Sequence, residues 1–355
     1  MKGNPFAERL EAFVSVVREK GLAAAVVYNQ ANVRALTGID CDNACLLVVP
    51  GKKTAKVVFH TDFRYVPMVH RLAPWLTVKD IKKVVFSGKK VGYESTVTAA
   101  RYLGLVKKHP KTEFVDIDAD VKALRAVKTP DEQEKLRAAE KLNDEIWSAA
   151  QAQFKPGMTE REMARVIQHL MIERGEGEAF ETIVCVGKNA AECHHVPDDT
   201  VWNGKEPVLV DMGVRLNGYC SDMTRNIVPA KPAKLYKQVY ALVLEANRRA
   251  IAAAKPGMTA GALDKVARDY LTKEGFGKAF GHSLGHGVGI EIHEAPWAAK
   301  KQKTVLKPGM AVTIEPGIYL EDNLGVRIED LVLITETGCE VLSHSAKCRG
   351  RSRPR

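Results

Sequence analysis

The chain has 355 residues, 45% of them hydrophobic and 27% charged, an ordinary balance for a folded protein with a large core and enough length for two domains. Of its net charge of +10, four units come from Arg349, Arg351, Arg353 and Arg355; the remaining +6 forms no basic stripe interleaved with aromatic residues, which argues against a nucleic-acid partner. There is no apolar run of about 18 residues and no apolar segment behind the N-terminus, so neither a membrane span nor a secretion signal is expected. Seven cysteines without a CxxC pair suit reduced thiols and a cytoplasmic location.

In chain order, residues 4–20 read as an amphipathic helix and 23–28 as a buried strand. Further strands are expected at 45–49 and 56–60, with Pro50-Gly51 as a turn signal, and at 90–93, followed by a helix over 96–107. This alternation predicts an α/β domain over 1–122. A joint at 124–130 leads into a long helix whose start is marked by Thr129 as N-cap and Pro130 at the first helical position.

An internal repeat follows. Lys155-Pro156-Gly157-Met158-Thr159 recurs 100 residues later as Lys255-Pro256-Gly257-Met258-Thr259, and each copy opens an amphipathic helix that ends near a glycine-rich turn. Asp211 lies 56 residues after Lys155, and Glu315 lies 60 after Lys255. A tandem duplication with one acid-bearing hairpin per half explains both offsets.

The hairpins carry the chemistry. Asn217-Gly218 is a strong two-residue turn signal, because both central positions need positive φ. In that register Leu216 pairs with Tyr219, Gly213 with Asp222 and Asp211 with Thr224, which puts Asp211 and Asp222 on one face. The second hairpin is read from strands over 311–320 and 326–334, with Glu321 to Gly325 as the turn and with Glu315 and Glu329 inside apolar runs. Carboxylates there are expensive to bury without a neutralising partner. With His286 in SLGHGVG they form an oxygen-rich donor set. It suits Mn²⁺ or Mg²⁺, and the imidazole also admits Zn²⁺, Co²⁺ or Fe²⁺.

VLVDMGV, YCSDMTR, SLGHGVGIEIHEAP, VTIEPGIY and VRIED resemble the ligand motifs of the pita-bread metallopeptidases, in their Xaa-Pro aminopeptidase and prolidase branch, over residues 125–345. Arg34-Ala35-Leu36-Thr37-Gly38 and Asp62-Phe63-Arg64-Tyr65 resemble that family's creatinase-like N-terminal domain. The implied fold class is α+β: a creatinase-like α/β domain over 1–122, a pita-bread catalytic domain with a pseudo-two-fold internal repeat over 123–345, and a basic tail over 346–355 that is expected to be disordered. The implied cofactor is two divalent ions per chain, with Mn²⁺ first and Co²⁺, Zn²⁺ or Fe²⁺ as alternatives. The implied ligands are Asp211, Asp222, His286, Glu315 and Glu329, of which Asp222 and Glu329 bridge both ions.

Outside the ligands the resemblance places His194 and His293 near the reacting amide and His282 and Tyr319 along a proline pocket, and it has Arg327 hold Glu329 and nearby polar groups in place. Glu315 doubles as proton acceptor. Which of His194 and His195 faces the site stays open. The implied activity is hydrolysis of the bond between an N-terminal residue and proline in small peptides, by a homodimer. One departure bears on specificity. Dipeptide-specific relatives keep an arginine shortly after the position of Glu294, and here Ala295-Pro296-Trp297 follows. The sequence therefore leans toward an aminopeptidase, with an Xaa-Pro dipeptidase as the alternative. Non-catalytic peptide-binding relatives lose ligands that this chain keeps. A creatinase-type amidinohydrolase would not need the acid cluster, and a methionine aminopeptidase lacks the α/β leader domain.

Overall fold

The computed structural model describes residues 6–51 and 54–347. The first two residues of the expected opening helix, Asn4 and Pro5, and the tail arginines from Arg349 onward lie outside the described residues. The chain divides into two compact units, Met1–Arg125 and Ala126–Arg355. No helix among the described residues is long and apolar enough to cross a membrane.

In the first unit a mixed six-stranded sheet runs in the order Thr77–Asp80, Lys56–Thr61, Ala44–Val49, Ala24–Val27, Lys90–Tyr93, Glu113–Asp116. Its central strands are buried along nearly their whole length, as a sheet covered on both faces requires. The helices Ala7–Glu19 and Ala99–Lys108 form where periodicity places them. The short helices Gln30–Thr37 and Val66–Leu72 and the strands Thr77–Asp80 and Glu113–Asp116 carry no comparable periodic signal. The joint is also more regular than its sequence suggests, since a helix Asp118–Ala126 runs almost to the next one, Pro130–Gln153. That second helix starts with a full capping box between Thr129 and Glu132.

The second unit is built twice from one plan. Helices Pro130–Gln153 and Glu160–Arg174 cover a three-stranded sheet, and helices Lys234–Ala253 and Ala260–Lys273 cover a five-stranded one. The duplicated Lys-Pro-Gly-Met-Thr segments do the same work in each half. Gly157 and Gly257 both take positive φ, 99° and 85°. Their amides donate to Trp202 and Leu306 carbonyls at 2.8 and 3.0 Å. Thr159 and Thr259 both cap the following helix. Each long helix also sends one buried asparagine into its sheet: Asn143 Nδ2 donates to the Met212 carbonyl at 3.1 Å, and Asn247 Nδ2 to the Ile314 carbonyl at 3.0 Å.

The first hairpin keeps the expected register. Asn217 and Gly218 have φ of 53° and 69°, Leu216 pairs with Tyr219, and Asp211 pairs with Thr224. At the rung of Gly213 and Asp222 the ladder opens, because Gly213 accepts from Ala179 N while Asp222 N donates to Glu140 Oε2 at 3.0 Å. The second hairpin opens in the same way. Its expected strands of about ten residues break into Ala311–Ile314 with Asp330–Ile334 and Gly317–Leu320 with Leu324–Arg327, which leaves Glu315 and Glu329 in the gap. Pro316 has no N–H to offer there. The acids' own amides turn elsewhere, Glu315 N to Leu284 at 2.9 Å and Glu329 N to Thr224 at 3.3 Å.

The turn of that hairpin is tighter than expected, with Leu320 paired to Leu324 and Asp322 at φ 55°. Gly325 therefore belongs to the strand, where its missing Cβ admits another segment: a Cβ would lie 1.6 Å from the Ala190 carbonyl oxygen. Gly325→Ala is expected to cost about 1–3 kcal/mol, the scale of forced overpacking. A urea unfolding curve checks this, and an unchanged midpoint contradicts the close approach.

Candidate metal centre

The acids meet on one cavity of about 470 Å³. It is lined by Asp211, Asp222, His286, Glu315 and Glu329, and also by His194, His195, His282, His293, Trp297 and Arg327. Asp211 and His286 stand within the strands Val208–Met212 and Gly285–Gly287, Asp222 at the opened rung, and the two glutamates in the gap of the second hairpin.

His286 Nε2 stands 3.5 Å from Asp222 Oδ2 and 3.4 Å from Glu315 Oε1. One ligand atom each from Asp222, His286 and Glu329 lies within 4.8 Å of the others. His286 Nδ1 sits 3.1 Å from the Gly287 carbonyl, which can only accept, so this nitrogen carries the proton. That leaves a bare lone pair on Nε2, aimed at carboxylate oxygens. Lone pairs facing lone pairs repel unless a cation sits between them. Two ligands held about 2.1 Å from one ion end up about 3.0–3.4 Å apart, close to the spacing seen here. Asp211 Oδ1 adds a second mark, being buried without a hydrogen-bond partner. The donor set therefore fits divalent metal.

Protonation tells the same story. Burial, then Glu329, Asp211 and Glu315, push the Asp222 carboxyl well above its usual range. Burial, then Glu315 and Asp211, do the same to Glu329. Glu315 is raised to about 8, chiefly by burial, against the opposing charge of Arg327. His286 is lowered to about 4 by burial and by His293, whose ring centre is 4.4 Å away.

Behind the acids runs a chain of bonds that fixes their orientation. Arg327 donates to Asp211 Oδ2 at 2.6 Å, to Thr224 Oγ1 at 2.9 Å and to the Tyr319 hydroxyl at 2.8 Å. Thr224 Oγ1 in turn donates to Glu329 Oε2 at 2.7 Å. Tyr319 is not among the cavity-lining residues. Its hydroxyl lies behind the wall, 3.0 Å from His282 Nε2. His282 Nδ1 lies 2.7 Å from the Ser283 carbonyl, so the Tyr319 proton points at His282.

The two adjacent histidines divide their tasks. His195 Nε2 is engaged by Glu160 Oε2 at 2.7 Å, whereas His194 is exposed on the cavity. Trp297, 44% exposed, stands on the rim with its ring 6.3 Å from His293. Sequence reasoning missed Thr224, Arg225 and Glu160. Thr224 was legible as the partner of Asp211 in the hairpin register. Arg225 was not: it reaches the Glu329 carbonyl and Asp330 across 104 and 105 residues.

A model of metallopeptidase family M24 matches residues 134–336, and a model of the creatinase/prolidase N-terminal domain matches residues 9–127. The chain belongs to metallopeptidase family M24. This M24 metallopeptidase is 37% identical over 344 residues to an Xaa-Pro dipeptidase of Pyrococcus furiosus, a match covering 96% of this chain and 99% of that one. It is similar to the solved Xaa-Pro dipeptidase of Bacillus anthracis, with TM-score 0.89, 33% identity and coverage of 96% and 98%. It is also similar to an X-Pro aminopeptidase of Thermotoga maritima, with TM-score 0.82, 31% identity and coverage of 92% and 97%. The fold is accordingly the pita-bread fold of this family behind a creatinase-type N-terminal domain, and divalent metal is the cofactor the family implies.

The raised carboxyl groups set a stability slope for the metal-free M24 protein. Asp222, Glu315, Glu329 and Glu140 keep protons in the folded state that the unfolded chain loses near pH 4. Their contribution is complete below that point and is lost as pH climbs through the folded values, about 8 for Glu315 and Glu140. The imidazoles of His282 and His286, lowered to about 4, act in the opposite sense only below the ordinary histidine value of about 6.5. Between about pH 6.5 and 8 the carboxyls therefore decide the slope. With EDTA, Tm is expected to fall across that interval, and with saturating Mn²⁺ the fall should largely vanish. A level or rising Tm in EDTA contradicts this assignment.

Proposed function

We propose that this metallopeptidase cleaves the bond between an N-terminal residue and proline, acting chiefly on Xaa-Pro dipeptides with two divalent ions per chain. The observation that carries the reading is the set of four carboxylates that share one cavity with the bare Nε2 of His286 and with four further imidazoles. Asp211, Asp222, His286, Glu315 and Glu329 would hold the ions, with Asp222 and Glu329 shared between them. Mn²⁺ is the preferred metal for so oxygen-rich a set. The reading includes a homodimer and a reducing cytoplasm, which the free thiols of the six described cysteines suit.

Bound divalent ions supply Lewis acidity, polarising a carbonyl and acidifying water. The chain's own groups do the rest. Glu315 takes up the proton of the attacking water and returns it to the proline nitrogen as the C–N bond breaks. His194 and His293 donate hydrogen bonds as negative charge develops on the carbonyl oxygen and as the nitrogen departs. Arg327 holds Asp211 in place and, through Tyr319, sets the tautomer of His282 on the wall that faces the proline ring. An Xaa-Pro bond has no N–H, so an enzyme for it must grip shape, which an imidazole-walled cavity does.

The preference for dipeptides departs from the lean of the sequence. Two of the similar proteins are named dipeptidases, and a cavity of about 470 Å³ lies in the lower half of the range for ligand sites, about 300–1,000 Å³. A second reading, cleavage of longer peptides, is favoured by Trp297, which offers no charge to a free carboxylate at the rim. Hydrolysis of Ala-Pro, Ala-Pro-Ala and Ala-Ala-Ala under Mn²⁺, Co²⁺ and Zn²⁺ separates the two. Ala-Pro is expected to be fastest and Ala-Ala-Ala inert. A faster Ala-Pro-Ala selects the aminopeptidase, and equal cleavage of Ala-Ala-Ala removes proline specificity.

Two substitutions test the roles. Asp222→Ala should abolish turnover and lower bound metal by elemental analysis, and near-normal activity would end the two-ion reading. His194→Ala should keep its metal while losing about 10²–10³-fold in kcat, the scale of one lost stabilising donor.

A further inference from the structure

Glu160 is the first residue of the helix Glu160–Arg174, fully buried, and outside the acid cluster described above. Its carboxylate collects four donors from a single stretch of chain. Oε1 accepts from Val186 N at 2.6 Å and Asn189 Nδ2 at 2.9 Å; Oε2 accepts from His195 Nε2 at 2.7 Å and Asp198 N at 3.1 Å. The positive end of the helix dipole favours a negative charge there. Further bonds close the same loop: Glu160 N and Arg161 N donate to the Thr200 and Asp198 carbonyls, both at 3.1 Å. The loop so tied down, between Val186 and Thr200, is the one that presents His194 to the cavity.

The repeat makes this placement informative. The position matching Glu160 in the second half is Ala260, which can hold nothing. There the residue after the cavity histidine His293 is Glu294, and it is anchored instead by Lys128 Nζ at 2.6 Å, with side chains 1% and 2% exposed. The two histidines read as facing the carbonyl are thus each followed in sequence by an anchored residue, His195 after His194 and Glu294 after His293. The duplicated halves reach the same arrangement with different partners.

We propose that Glu160, through His195, is a positioning residue that fixes His194 against the reacting carbonyl. The inference rests on the reading of His194 as a group that stabilises that carbonyl. The bond to Glu160 takes the Nε2–H of His195 and turns its ring away from the substrate, so that the neighbouring imidazole faces it. His195 does its work without touching substrate.

A double-mutant cycle of the metal-loaded enzyme on Ala-Pro tests this. His195→Leu removes the donor and is expected to lower kcat by about 10- to 100-fold, the scale of a misplaced group, with bound metal unchanged. His195→Gln, which keeps an N–H for Glu160, should recover most of the loss. In a His194→Ala background His195→Leu should cost less than a further twofold, because the group it positions is already gone. Multiplying effects, or a Gln variant as slow as the Leu variant, overturn the proposal. If His195→Leu does not fold, His195→Asn, too short to reach the carboxylate, takes its place in the same cycle. A His194→Ala enzyme with wild-type rates would instead remove the underlying role of His194, and the positioning role with it.

Discussion

Glu315 and Glu329 face each other across an opened rung, with Asp222, Asp211 and the bare nitrogen of His286 around them. Two like charges about 4 Å apart repel by about 4 kcal/mol at the effective dielectric of a protein surface, so four carboxylates on one cavity cannot all be ionised unaided. Without cations the site must keep protons it would lose in water, which is what burial and mutual repulsion do to Asp222, Glu315 and Glu329. Arg327 relieves Asp211 alone by direct contact. The remaining charge deficit is what divalent metal fills, and most of the surrounding structure holds the acids in this otherwise unfavourable array.

Duplication is the means of holding them. Each half supplies a helix pair, a sheet and a hairpin whose ladder opens where an acid stands. The freed backbone groups are not wasted, because buried polar groups must find partners. Glu140 takes the Asp222 amide, and Thr224 takes the Glu329 amide. Arg225, itself buried, clasps the carbonyls of Thr224 and Glu329 together with Asp330. The two halves are thus joined by hydrogen bonds made possible by the same ladder breaks that expose the ligands. The histidines proposed to face the substrate sit on loops, His194 from one half and His293 from the other.

Local signals carried much of this into the sequence. Asn217-Gly218 gave the first hairpin and its register, since positive φ at two successive positions leaves few alternatives. The repeated Lys-Pro-Gly-Met-Thr segment disclosed the duplication, and the five acid and imidazole motifs pointed to the metal family. The break beside Glu315 was marked only by Pro316, which cannot donate to a ladder, whereas the run from Val326 to Ile334 keeps its strand propensity and only tertiary partners interrupt it. Gly325 looked like a turn residue and is instead a point of close approach to Ala190. The roles of Glu160, Arg225 and Lys128 depend on partners 35, 105 and 166 residues away, beyond any periodic signal. Tyr319 read as a pocket residue, yet its hydroxyl is occupied by Arg327 and His282 behind the wall.

The central claim is that these carboxylates exist to share two cations. Anomalous scattering at the manganese edge from a crystal grown with Mn²⁺ tests it most directly. The account predicts two peaks per chain on either side of the Asp222 and Glu329 carboxylates, with His286 Nε2 directed at one of them. A single peak elsewhere, or a site that binds no ion with Asp211 Oδ1 still unpartnered, would contradict it.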